Sequence, residues 1–225
     1  MIQISELRKS LYGGGHRVDI LNGIDLTIPS GQFVAIIGAS GSGKTTLLSL
    51  MAGLDTPTSG SIVVDEKDIT KLGEDELAAL RAKRFGFIFQ NFHLIPTLTA
   101  LENVVLAGEL NKTPDAKKKS ADLLDVVGLK DRIHHYPAQM SGGEQQRLCL
   151  ARAFVNEPEI ILADEPTGNL DSKNSEHILS LLLDLHRSRQ ATIVLVTHEP
   201  DIAAKTERIL TLADGVIIQD TRPER

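Results

Sequence analysis

Gln32-Phe33-Val34-Ala35-Ile36-Ile37-Gly38-Ala39-Ser40-Gly41-Ser42-Gly43-Lys44-Thr45-Thr46-Leu47-Leu48-Ser49-Leu50-Met51 decides how this chain folds. Residues 32–37 are rich in β-branched and apolar types and predict a buried strand. Leu47, Leu48, Leu50 and Met51 recur at the spacing of a helix. Between strand and helix, Gly38 to Thr45 fits G-x-x-x-x-G-K-[ST]. Gly38, Gly41 and Gly43 let backbone N–H groups of Ala39, Ser40, Ser42 and Thr46 turn inward as an anion nest without Cβ clashes. The helix that follows points its positive end at the same anion. Lys44 adds an ammonium for the β- and γ-phosphates, and the Thr45 hydroxyl is placed to ligate Mg²⁺. The stretch therefore predicts a nucleoside-triphosphate site, and by itself does not separate kinases, GTPases and ATPases.

Upstream, residues 18–28 read as a further strand, separated from the first by the turn signal Pro29-Ser30-Gly31. Downstream, 61–64 and 85–89 read as strands and 74–83 as a helix. From Asn91 the pattern changes: 101–110, 116–127 and 144–155 carry apolar residues three and four apart, so 91–140 is expected to be a helical lobe inserted into a core of 1–90 and 141–225. The last third alternates again, with strands at 159–163, 192–197 and 209–212 and helices at 172–186 and 201–205. Strands alternating with helices imply a parallel sheet covered on both faces.

Ile160-Ile161-Leu162-Ala163-Asp164-Glu165 is an apolar strand ending in two acids, at the strand end where ligands bind in open α/β sheets. Asp164 is positioned to reach Mg²⁺, and Glu165 to hold and polarise an attacking water.

Bulk properties narrow the partners. The chain has 225 residues and a formal net charge of -6, which offers no basic field to nucleic acid. The runs Lys117-Lys118-Lys119 and 81–84 read as solvated helix faces. Cys149, the single cysteine, excludes an internal disulfide and sits in an apolar helical stretch as a packing residue. No apolar run reaches the ~18 residues needed to cross a bilayer, and Met1-Ile2-Gln3-Ile4 lacks the blocks of a signal peptide. A cytoplasmic protein is expected, meeting a membrane only through a partner.

Met140-Ser141-Gly142-Gly143-Glu144-Gln145-Gln146-Arg147 resembles the signature motif of the ABC ATPase family, with Met140 where the family usually has Leu. Ser141 and Glu144 also form the S-x-x-E capping pattern of a helix start, and a capped helix tip with two glycines is itself an anion site. Further resemblances follow in the family's order. Gln90, after the strand 85–89, looks like the glutamine that contacts Mg²⁺ and the attacking water. Gly168-Asn169-Leu170-Asp171 looks like the loop that communicates across a dimer, and His198 like the histidine that touches the γ-phosphate. Tyr12, before Gly13-Gly14-Gly15, looks like the aromatic that stacks on adenine. The resemblance implies an α/β fold with a P-loop NTPase core, a mostly parallel sheet, an N-terminal antiparallel β part and the inserted helical lobe.

It also implies a Mg²⁺-dependent ATPase that dimerises head to tail. Each ATP lies between residues 38–46 of one copy and Ser141, Gly142 and Gly143 of the other, with Asp171 beside the nucleotide. The runs 87–92, 95–104 and 165–171 resemble the bacterial subgroup of lipoprotein-release, macrolide-efflux and cell-division ATPases. That subgroup implies an integral-membrane permease, a location on the inner face of the cell membrane, and export or extraction of a substrate. Phe92-His93-Leu94-Ile95-Pro96 reads either as packing of the helical lobe or as a groove for a permease helix. Signalling through a permease-like partner without transport stays open as the alternative.

Overall fold

The computed structural model describes residues 1–13 and 16–223; Gly14 and Gly15 of the glycine run after Tyr12 lie outside them. The elements run β1 (Ile2–Gly13), β2 (His16–Ile28), β3 (Phe33–Ile37), α1 (Lys44–Met51), β4 (Ser59–Val64), β5 (Lys67–Asp68), α2 (Glu74–Arg84) and β6 (Phe85–Phe89). They continue with α3 (Ala100–Leu110), α4 (Ala116–Val126), α5 (Gly142–Phe154), β7 (Ile160–Asp164), α6 (Ser172–Arg189), β8 (Thr192–Val196), α7 (Pro200–Ala203), β9 (Arg208–Ala213) and β10 (Val216–Thr221). The fold is α/β, and the chain forms two compact units: Met1–Arg81 with the segment from Thr192 onward, and Ala82–Ala191. The helical stretch expected at 91–140 falls inside the second unit.

In the first unit β3 is central. It pairs in parallel with β8 (Ile36 opposite Val196) and with β9 (Ile36 opposite Leu210), and β10 closes the edge antiparallel to β9. Phe33 to Ile36 and Ile193 to Val196 are all buried, which is why both strands read as unbroken apolar runs. The same unit holds an antiparallel sheet in the order β2-β1-β4-β5. β1 was not evident in the sequence. Its alternation is broken by register shifts between Ile4 and Leu7, where Glu6 adopts φ 47°, and between Lys9 and Ser10. Lys9 is also buried, its ammonium held 2.7 Å from Asp55 and 2.8 Å from the Thr56 carbonyl, so the strand places a lysine where alternation demands an apolar residue.

In the second unit β6 and β7 run parallel with Phe89 opposite Asp164, so the residues after each strand emerge side by side. α5 is buried on most of its circumference, from Gly143 through Leu148, Cys149 and Leu150 to Phe154. Met140, just before it, is buried, and a Met for Leu exchange at such a site costs less than about 1.5 kcal/mol. α3 starts at a capping box of Thr99 and Glu102. Its Asn103 is buried and staples the preceding loop: the amide donates to the carbonyls of Ile95, Leu98 and Thr99 and accepts from Ile95 N–H at 2.8 Å.

Candidate nucleotide site

Because β3 and β8 are parallel, Gly38 after the one and His198 after the other leave the same edge of the first unit's sheet. The chain turns at Gly38 against β9; a Cβ there would stand 2.1 Å from the Leu212 carbonyl oxygen, so only glycine fits. The loop then runs through exposed Ala39, Ser40 and Gly41 to Gly43, the residue that precedes α1. Lys44 is only 7% exposed, and its ammonium donates to the carbonyl oxygens of Gly38 and Ala39 at 2.9 Å each. Among the described residues, this buried cation, held by two neutral carbonyls, has no counter-charge. Beside it, the Ser42 hydroxyl is buried without a hydrogen-bond partner among the described residues. An orphaned hydroxyl and an uncompensated ammonium on one loop, at a helix N-terminus, are what an incoming phosphate satisfies. Thr45 and Thr46 open α1, Thr45 exposed and Thr46 half-buried. Tyr12, at the end of β1, is 77% exposed and faces Arg17 across the hairpin.

A second cluster forms where β6 and β7 end. Asp164 closes β7, and Glu165 follows it with φ 45°, in the left-handed region that a non-glycine residue enters at an energetic cost. Gln90 follows β6. Its Nε2 donates to Asn169 Oδ1 at 3.3 Å, and Asn169 Nδ2 donates back to the Gln90 main-chain carbonyl at 3.0 Å. Gln90 and Glu165 converge on Gly168: a Cβ there would lie 2.8 Å from Gln90 Nε2 and 3.3 Å from a Glu165 carboxylate oxygen.

At the tip of α5, Ser141 is the N-cap of a capping box. Its hydroxyl accepts from Glu144 N–H at 3.3 Å, and the Glu144 carboxylate accepts from Ser141 N–H at 2.8 Å. That second bond, ahead of the Ser141 hydroxyl and Arg132, holds the Glu144 carboxyl below its ordinary range. The cap uses the Ser141 side chain inward and leaves Ser141 and Gly142 exposed, while Gly143 is buried. Asp171 caps α6: its carboxylate accepts from Asn174 N–H at 2.9 Å and from Asn174 Nδ2 at 2.7 Å, which lowers its pKa.

Arg152 was given no role from sequence alone, and Cys149 only that of packing. Arg152 of α5 donates to the carbonyl oxygens of Phe92 at 2.9 Å and His93 at 2.6 Å, and the Cys149 thiol donates to Phe92 at 3.1 Å. Burial pushes that thiol up to about 12, so it is a hydrogen-bond donor and not a nucleophile at neutral pH. These bonds clamp the segment after Gln90, where His93 has φ 49°. The only hint in the sequence is an arginine three residues after Cys149 in the otherwise apolar run 148–154 of the helix.

Phe92 to Pro96 is not core; Phe92 and Leu94 are half-buried and His93, Ile95 and Pro96 exposed. His93 lines a groove of about 410 Å³. The phenyl rings of Phe85, Phe87 and Phe89, which share one face of β6, stack along it with centroids 6.2 and 5.9 Å apart. Leu110, 76% exposed, lies at its rim.

The ABC transporter family matches residues 21–168. The uncharacterized ABC transporter ATP-binding protein YvrO of Bacillus subtilis is 46% identical over 224 residues, covering 99% of this chain and 97% of that protein. The lipoprotein-releasing system ATP-binding protein LolD of Syntrophotalea carbinolica is 47% identical over 96% of both chains. The macrolide export ATP-binding/permease protein MacB of Brucella abortus is 45% identical over 98% of this chain, which spans only 34% of that longer protein. Among solved structures, the dimeric bacterial-type cassette MJ0796 superposes with TM-score 0.92 at 40% identity over all of both chains. Its dimeric post-hydrolysis state, bound to ADP and Pi, matches equally well at 39% identity.

Proposed function

The chain belongs to the ABC transporter family of ATP-binding proteins, and from that premise we propose that it is the ATPase that drives a separate membrane permease in export or extraction of a substrate from the membrane. The observation that carries the reading is the phosphate loop, where a buried Lys44 ammonium, without a counter-charge among the described residues, lies beside an orphaned Ser42 hydroxyl. The relatives with permease-bearing or lipoprotein-releasing names support the transport role.

In the mechanism, main-chain N–H groups from Gly38 to Thr46 and the Lys44 ammonium take the β- and γ-phosphates, and Tyr12 stacks on adenine. Thr45 of the first unit, and Asp164 and Gln90 of the second, each offer an oxygen of the kind that suits Mg²⁺, a cation that keeps water and phosphate among its ligands. When bound, Mg²⁺ would supply charge neutralisation for the triphosphate. Glu165 orients the attacking water and accepts its proton, and His198 donates to the γ-phosphate. Ser141, Gly142 and Gly143 of a second copy, packed head to tail, complete the γ-phosphate contacts, and Asp171 lies at the junction of the copies. ATP thus joins two chains and its hydrolysis releases them.

No helix among the described residues is long and apolar enough to cross a membrane. Attachment to the inner face of the cell membrane comes through the permease, whose cytoplasmic helix occupies the phenylalanine-lined groove beside the Gln90 segment. A net charge of -6 argues against a nucleic-acid partner. The test is Glu165→Gln: ATP affinity persists while phosphate release falls by at least about a thousandfold. Sustained hydrolysis in that variant rejects the role given to Glu165.

A further inference from the structure

We propose that Asn169 is a positioning residue that fixes which end of the Gln90 carboxamide faces the cation; the assignment rests on the metal role given to Gln90 above. The two amide orientations follow from one anchor. A main-chain carbonyl can only accept, so the group of Asn169 that meets the Gln90 carbonyl at 3.0 Å is its NH₂. Its oxygen therefore faces the Gln90 side chain. That oxygen can only accept, so Gln90 turns its own NH₂ toward it, at 3.3 Å. The remaining end of Gln90, Oε1, points the other way and is the end presented to an electron-pair acceptor. A glutamine with free amide rotation would present NH₂ to the cation in half of its settings; an oxygen ligates Mg²⁺ and an amide nitrogen does not.

Two neighbouring features support the same role. Arg152 and Cys149 already hold the backbone just after Gln90, so the side-chain rotation is what is left to fix. Gly168 leaves room for the carboxamide, since a Cβ there would meet Gln90 Nε2 at 2.8 Å. Partners that orient a ligand without touching the metal commonly account for about ten- to a hundredfold in metal affinity or activity.

The test compares Asn169→Ala, Gln90→Ala and the double variant of the full chain. Binding of trinitrophenyl-ATP is titrated with Mg²⁺ by fluorescence, alongside the Mg²⁺ dependence of hydrolysis. Asn169→Ala is expected to raise the Mg²⁺ concentration for half-maximal response on the order of tenfold, with probe affinity in EDTA unchanged. In the Gln90→Ala background, Asn169→Ala shifts the response by less than about twofold, because the two act as one unit. Full additivity of the two changes, or an unmoved Mg²⁺ requirement in Asn169→Ala, overturns the proposal. An unmoved requirement in Gln90→Ala itself overturns the metal role of Gln90 and the Asn169 assignment with it, while leaving the ATPase reading intact if Glu165→Gln still abolishes turnover.

Discussion

Glu165 shows at a single position how the site stores strain. Its φ of 45° is a conformation glycine enters freely and other residues at a cost of roughly 1–2 kcal/mol. Replacing it by Gly and by Ala removes the carboxylate in both cases, so the difference between the two variants isolates the backbone. Glu165→Gly should be more stable than Glu165→Ala by about 1 kcal/mol in urea unfolding; equal midpoints would mean the turn relaxes once the carboxylate is gone. Lys44 makes the complementary prediction. Its ammonium is spent on two loop carbonyls until an anion arrives, so Lys44→Ala should lose nucleotide binding, by at least about a hundredfold, with little change in unfolding midpoint. Unchanged affinity in an ATP titration would reject the phosphate contact.

Among the elements, α5 links two functions. Its capped tip displays Ser141 and Gly142, and Arg152 about three turns further on grips the segment after Gln90. The tip depends on a reciprocal cap, so Ser141→Ala should cost about 1 kcal/mol of stability. Glu144 adds a pH dependence with a definite sign. Its carboxyl is held below the ordinary range by the Ser141 N–H. The bond therefore contributes fully above the ordinary glutamate pKa and fades as pH falls through the lowered folded value. The stability gap between the parent and Glu144→Ala should narrow on acidification below about pH 4; urea midpoints across the acid range would show it, and a gap that widens would contradict the cap.

The elements also show what could be read in the sequence. β3, β7 and β8 were legible because a strand covered on both faces is apolar at every position. The tip of α5 was legible because S-x-x-E has a physical reason. β1 was not, because bulges break its period and Lys9 takes a core-facing place with Asp55 as its partner. β10 escaped as well, being an edge strand with exposed Ile218, Gln219 and Asp220. Pattern alone was enough to expect Lys44 at a helix start and Asp164 and Glu165 at a strand end, which is where they lie. Asn169 and Arg152 could not be given their contacts, since these bind main-chain carbonyls far away in sequence, and a carbonyl leaves no signature in side-chain identity.

At the scale of the whole molecule, the proposed partners would meet the exposed Ser141-Gly142 tip and the groove lined by Phe85, Phe87 and Phe89. For the groove, Leu110→Asp is the informative change, because Leu110 is 76% exposed and the substitution spares the core. It should abolish co-purification with the permease while the basal ATPase rate stays the same; intact pulldown would move the permease elsewhere. The role proposed for the tip requires one ATP to be held by two copies of the chain. The direct measurement is the mass and nucleotide content of Glu165→Gln in Mg²⁺ and ATP, by light scattering on a sizing column. A dimer carrying one ATP per chain is expected, reverting to monomer when Ser141→Arg blocks the tip. A monomer that retains bound Mg²⁺-ATP would contradict it.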